Sequence, residues 1–506
     1  MTTYSRPGVF IQEIELPSTI TLADNGNAVG ALIGTLPQGN LAIPVLLTKW
    51  IDFVNTFGKL DDAYPTTWAA YNFFANGGHN LYVKRVVGAS AAAATVSLTD
   101  RSGGDGINTL SVTASNPGLW GNGLAVAITA SGEATRFNLT VTSAAGVSQT
   151  FPDVSMDPSD SRYVVSAVNS RAGGYIRVTD LLSGSTAPSN LPALTTLGVI
   201  SLTGGVNGDA PLEADYLAAY TTFDPIQNPL VMNAPDAAYA ADDTFSQAIQ
   251  TDLASYCEGR GDAFAILDVK SGLSVADAKS FITGALGAAT GEFAAAYYPW
   301  IQIPNTLRAA PGAVRLQAPG AAMIGQFLAT DGLRGVFKSP AGINNRLALA
   351  VATERLLTNA ELDDINTAAN PLNAIRQVPG AGIVPMGART LQNTPQHRYI
   401  NIRRSLIYIK NEMTNRSTFA VFENNDSRLW SQIRTALESF LQSYWQQGGL
   451  RGTTPKDAFF VRCDSTTTSF SDMQNGIVNI EVGVALEYPA EFVVIKLGQL
   501  TGNATA

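Results

Sequence analysis

The chain has 506 residues, 45% hydrophobic and 14% charged, which is enough for about three domains and too apolar for a disordered chain. With 32 Lys and Arg against 41 Asp and Glu the net charge is −9, and no dense basic run occurs, which argues against a nucleic-acid partner. The longest apolar stretches, such as residues 293–303, fall short of the roughly 18 residues that a membrane helix needs, so no membrane insertion is expected.

The opening residues have neither a basic region nor an apolar run of the kind that directs export, so the chain is expected to stay in the cytoplasm of the cell that makes it. Two cysteines, Cys257 and Cys463, exclude a disulfide framework and a Cys-rich zinc site. Two ordinary buried thiols or an inter-subunit disulfide both remain open.

Residues 1–20 read as an N-terminal arm. Phe10, Ile14 and Leu16 share one parity and Glu13 and Glu15 the other, so residues 9–16 form a half-solvated strand with Val9 and Ile11 among its apolar residues. Residues 21–88 read as the first part of an α/β core. It holds a strand at 28–33, a helix over 65–76 stopped by Gly77-Gly78, and a strand at 81–87.

At Gly88 the composition shifts. Residues 89–208 are rich in Ser, Thr, Gly and Ala, and no lysine lies between Lys84 and Lys270. Short alternating runs at 110–112, 124–128, 137–141 and 176–178 predict an inserted all-β domain, a sandwich or barrel on the outside of the molecule. Residues 209–385 then resume the α/β core, with strands at 264–269 and 294–303 and helices at 275–286 and 346–357.

Residues 386–488 read as a C-terminal α+β domain. Asp426 or Ser427 caps a helix whose stripe is Trp430, Ile433, Leu437, Phe440, Leu441 and Tyr444, and Gly448-Gly449 ends it. Val478, Ile480, Val482, Val484 and Leu486 alternate as a strand. Residues 489–506 form a C-terminal arm, in which Phe492, Val493, Val494, Ile495 and Leu497 make a strand apolar on both faces, so both faces need cover. Residues 386–451 carry net +5 against −14 elsewhere, which marks either a solvated face or a surface that docks an acidic partner.

Catalytic chemistry is nearly absent. His79 and His397 are the only histidines, which leaves few ways to build a triad or an imidazole acid–base pair. Gly34-Thr-Leu-Pro-Gln-Gly39 has the outer spacing of a phosphate loop but continues Asn40-Leu41 where Lys-Ser/Thr is required. Gly121-Asn-Gly123 and residues 204–208 are turns, and Asp242-Asp243 and Asp363-Asp364 lie in exposed helical stretches. No catalytic, cofactor-binding or metal-binding residue is assigned, and an enzyme is not expected. A surface hydrolase or adhesin would need an export signal or a cluster of His, Asp and Glu, and neither is seen.

Ser5-Arg-Pro-Gly-Val-Phe-Ile-Gln-Glu-Ile14 resembles the opening arm of contractile phage tail sheath proteins. Phe73-Phe-Ala-Asn-Gly-Gly-His-Asn-Leu-Tyr-Val-Lys-Arg-Val86, Tyr298-Pro-Trp300, Thr330-Asp331, Lys338-Ser-Pro-Ala-Gly342 and Gly387-Ala-Arg-Thr-Leu391 follow that family's order. So do Tyr399-Ile-Asn-Ile-Arg-Arg404, Phe422-Glu-Asn-Asn425, Gly449-Leu-Arg-Gly452, Ala458-Phe-Phe-Val-Arg-Cys-Asp464 and Pro489-Ala-Glu-Phe492. Met386 and Phe337 depart from the family's usual aromatic residues.

The resemblance implies a discontinuous sheath core and a subunit that polymerises with itself as stacked hexameric rings around a tail tube. Contraction then drives the tube through the host envelope for genome ejection. It further implies baseplate and tail terminator proteins as partners, assembly in the host cytoplasm, and residence in the virion tail. The two arms would be exchanged between subunits, adding strands to an acceptor sheet of Val478, Ile480, Val482 and Val484. Arg403, Arg404, Lys410 and Arg416 would dock the tube or a neighbouring subunit. A headless phage-derived injection particle or a type VI-like system is the alternative.

Overall fold

The computed structural model describes residues 28–103, 106–171, 173–195 and 198–491. The arm residues Val9, Phe10, Ile11, Ile14 and Leu16, and Phe492, Val493, Val494, Ile495 and Leu497, lie outside them.

An eight-stranded sheet organises the α/β core. In spatial order its strands are Gly382–Pro385, Asn373–Val378, Ala294–Tyr298, Ala263–Asp268, Leu230–Asn233, Val29–Thr35, Leu81–Val86 and Val45–Leu47. The six inner strands run parallel and the two edge strands antiparallel. Parallel strands covered on both faces must be apolar at both parities, and these are. Ala263, Ala265 and Leu267 enter one core with helices Asp243–Arg260 and Val275–Leu286. Phe264 and Ile266 enter the other, with helices Pro65–Ala75 and Gly320–Arg334.

The sheet takes strands from both sides of the inserted segment. That segment holds two antiparallel sheets over a shared core that includes Leu110, Val126, Phe137, Leu139 and Val178. It is not all-β: helix Val164–Asn169 buries Val164 and Val168 against the same core. Its two ends pair at a neck, where the Asp209 amide donates to the Ala89 carbonyl at 2.9 Å and Ala92 bridges Val206.

Two expectations within the core are corrected. The strand expected at 294–303 is two strands in different sheets, Ala294–Tyr298 and Ile301–Pro304. Pro299 has no amide to donate, and the Trp300 indole turns to the Val269 carbonyl at 2.7 Å. The helix expected at 346–357 does not form. Its amides go elsewhere: Leu347 to Ile383, Val351 to Gln302 and Glu354 to Trp300. Leu349 adopts φ +64°, outside the helical region.

Candidate functional site

Beyond the core, helix Ile400–Ser417 runs from one hydrophobic cluster into another. Ile400 belongs to the α/β core, whereas Ile409 packs with the C-terminal helix Ser427–Gln446. The Asp426 carboxylate caps that second helix by accepting from the Arg428 and Leu429 amides at 2.9 and 3.0 Å. Trp430, Ile433, Leu437, Phe440, Leu441 and Tyr444 are all buried on one face. Tyr408, Phe440 and Tyr444 form an aromatic cluster with centroids 5.6–6.1 Å apart, and the Tyr444 hydroxyl reaches Ser405 at 3.1 Å.

A two-stranded antiparallel ladder lies against the helix: Phe459–Arg462 pairs with Glu481–Val484. Of the residues expected in the acceptor strand, Val482 and Val484 lie in it. Val478 and Ile480 pack against the same cluster but precede the ladder, because the chain is held there by other bonds. The Asn479 amide donates to Thr468 Oγ1 at 3.0 Å, and Asn425 donates to the Ile477 carbonyl. Among the described residues no third strand joins the ladder. Beside it runs a groove of about 580 Å³, lined by Thr435, Glu438, Ser439 and Gln442 of the helix and by Phe460 of the strand. A two-stranded ribbon by itself is marginal in water, and an edge left unpaired is a template for another strand.

The four cations expected to dock a partner have different fates. The Arg404 side chain is 3% exposed and pairs with Asp331, itself 6% exposed, on helix Gly320–Arg334. Nη1 donates to Oδ1 at 2.9 Å, Nη2 makes the second contact, and the guanidinium lies 4.9 Å from the Phe327 ring. Arg403 is turned inward as well, onto Glu292, which also meets His397 Nδ1 at 2.8 Å. Arg416 is half-exposed and bonded to Glu412 at 3.0 Å. Lys410 is exposed, beside a groove of about 800 Å³ that also takes in Asp224, Arg260 and Asp262.

Elsewhere the described residues bring no group of three His, Cys, Asp or Glu together as metal ligands. No described helix is long and apolar enough to cross a membrane. Cys257 and Cys463 are both buried free thiols, and burial pushes both thiols up in pKa. Within the subunit the two residues are 0% and 1% exposed.

Residues 392–497 match the family of phage tail sheath C-terminal domains. No curated protein matches the sequence. Among solved structures, the contracted helical sheath of the anti-feeding prophage matches with a TM-score of 0.58 at 19% identity, over 98% of this chain and all of that one. The contracted PVC sheath of an extracellular contractile injection system matches at 0.54 and 21%, over 99% of both chains. The sheath tail protein of Listeria innocua matches at 0.61 and 13%, over 91% of this chain and 96% of that one. Residues 392–497 are therefore similar to phage tail sheath C-terminal domains, and the chain shares its fold with these sheath structures.

Proposed function

We propose that the protein is the structural subunit of a contractile sheath. It polymerises with itself as stacked hexameric rings around a tube, and it contracts to drive that tube through a cell envelope. The observation that carries this reading is the near-complete overlap with contractile sheath chains, together with the match of residues 392–497 to the sheath C-terminal family. Tube, baseplate and terminator proteins are the partners, and an extracellular tail is the site of action.

The physics of assembly follows from the two-stranded ladder. Arms from neighbouring subunits, 9–16 and 492–497, would extend it. About six residues of exchanged strand make several backbone hydrogen bonds worth about 0.5–1.5 kcal/mol each. Each large buried side chain adds about 1.5–3 kcal/mol, whereas association costs on the order of 4–15 kcal/mol. One arm binds weakly. Two arms per subunit in a closed ring make later contacts intramolecular, and the lattice holds.

Purified protein at rising concentration should give tubes or stacked rings in negative-stain micrographs. A dispersed monomer at every salt and concentration, measured by sedimentation, would sink the reading. The likeness to the anti-feeding prophage and PVC sheaths along 98–99% of this chain favours a headless injection particle as the second reading. Capsid genes beside this one would decide for a phage.

A further inference from the structure

Two motifs in the sequence, Gly387-Ala-Arg-Thr and Pro489-Ala-Glu-Phe, are about a hundred residues apart, and the fold brings them into contact. Arg389 Nε donates to Glu491 Oε1 at 2.8 Å and Nη2 donates to Oε2 at 2.7 Å, a bidentate pair. The Tyr399 hydroxyl donates to the same carboxylate at 2.9 Å. The side chains are 8% and 21% exposed, so water competes little for this pair. Burial alone would raise the Glu491 carboxyl, but the bonds from Arg389 and Tyr399 hold it below its usual value.

Arg389 is itself fastened to the central sheet. Its amide donates to Asn373 Oδ1 at 2.7 Å, its carbonyl accepts from Asn373 Nδ2 at 2.8 Å, and Nη1 reaches the Asn366 carbonyl at 2.7 Å. Asn373 lies in a strand of the eight-stranded sheet and also donates to the Ala296 carbonyl of the neighbouring strand. A second pin holds the same stretch of chain, where Asn401 Nδ2 donates to the Glu487 carbonyl at 3.0 Å. Residues 487–491 thus leave the small C-terminal ladder and are tied to the α/β core at the root of the C-terminal arm.

We infer that the Arg389–Glu491–Tyr399 cluster is the anchor of the C-terminal arm. It fixes where the arm leaves the subunit body and passes any pull on the arm into the eight-stranded sheet. Without the anchor that pull would fall on the ladder Phe459–Arg462 with Glu481–Val484, which has four residues per strand. Arg389, Tyr399 and Glu491 are positioning residues here, and the inference rests on the reading of the chain as a polymerising subunit.

The test uses Glu491→Ala and Glu491→Gln in the full chain, with amide hydrogen exchange of dispersed subunits and sedimentation of polymers as readouts. Exchange over 485–491 should rise about tenfold or more in Glu491→Ala, with helices Gly320–Arg334 and Ser427–Gln446 unchanged. The polymerised fraction should fall several-fold, and Glu491→Gln should fall between the two. Unchanged exchange at 485–491 overturns the inference, and so does faster exchange with undiminished polymer. Exchange that accelerates across both helices in Glu491→Gln also overturns it, since the pair would then belong to the fold's core. If the unaltered protein forms no polymer, the sheath reading fails, while the exchange data still report on the tie.

Discussion

Asp268 stands at the end of an inner strand, 1% exposed, and among the described residues no cation pairs with it. It accepts from Asn233 Nδ2 at 2.8 Å and from the Gly320 amide at 2.9 Å, at the start of helix Gly320–Arg334. Burial outweighs both bonds and pushes its carboxyl up from 3.8 to about 6. Because the folded value is the raised one, its contribution to stability is fully present below pH 3.8 and is lost as pH rises through about 6. A shift of this size corresponds to roughly 3 kcal/mol. Asp268→Asn should therefore gain on the parent between pH 4 and pH 6.5, read as the difference in melting temperature; a constant difference would refute the assignment. Arg404 makes the opposite case, a buried charge with its partner present. Arg404→Met leaves Asp331 buried and unpaired, at a cost of about 3–5 kcal/mol. The double variant Arg404→Met with Asp331→Asn should lose less than the single one, as measured by denaturant unfolding.

At the scale of elements, the C-terminal helix was plain in the sequence because nothing polar interrupts its stripe. Leu437→Ala there should cost about 2–5 kcal/mol in chemical denaturation. Helix Ile400–Ser417 was hidden because Asn401, Arg404 and Ser405 occupy buried positions. Their partners Ser339, Asp331 and Tyr444 are 62, 73 and 39 residues away, beyond any local pattern. The same distance explains why the ion pairs of Arg403 and Arg404 are not legible in the sequence: charge is seldom buried, and Glu292 and Asp331 are invisible to local spacing. Residues 346–357 misled in the other direction. Leu347, Ala350 and Val351 are spaced as on a helix, but the backbone found its bonds on neighbouring strands. The proposed acceptor site was legible only in part, as alternation that overran the four-residue ladder. Its test is Ser439→Trp, on the exposed helix face that lines the groove beside Phe460. A tryptophan there fills the space an incoming strand would take while touching none of the buried stripe. Melting temperature should stay within a degree or two and sedimenting polymer should disappear. Normal polymer from this variant would move strand addition away from this groove.

For the whole molecule the question is which parts the polymer needs, and the neck of the inserted segment makes that testable. Ala89 and Asp209 are bonded backbone to backbone, so a short Gly/Ser link in place of residues 90–208 spans the gap without moving either end. Gly88 could not carry a side chain at this neck, since a Cβ would come within 2.3 Å of the Asp209 carbonyl oxygen. The excised segment keeps its own hydrophobic core, so its removal exposes little of the α/β cores. The main loss falls on Arg85. Its guanidinium is buried and bonded to carbonyls, Nε to Leu36 at 2.9 Å and Nη1 to Pro117 at 2.8 Å, and Pro117 belongs to the segment removed. Tyr64 likewise loses its bond from Asn207, at 2.8 Å. Both groups would then face water, which replaces the lost partners, so a cost of about 1–3 kcal/mol is expected rather than collapse of the fold. If the segment is an outer decoration, the shortened protein should melt a few degrees lower and still form tubes, narrower in micrographs than those of the full chain. A shortened protein that keeps its cooperative melt but forms no polymer would place the segment in the lattice itself. The exposed Leu181, Leu182 and Val199 on it would then be the first residues to examine for contacts between subunits.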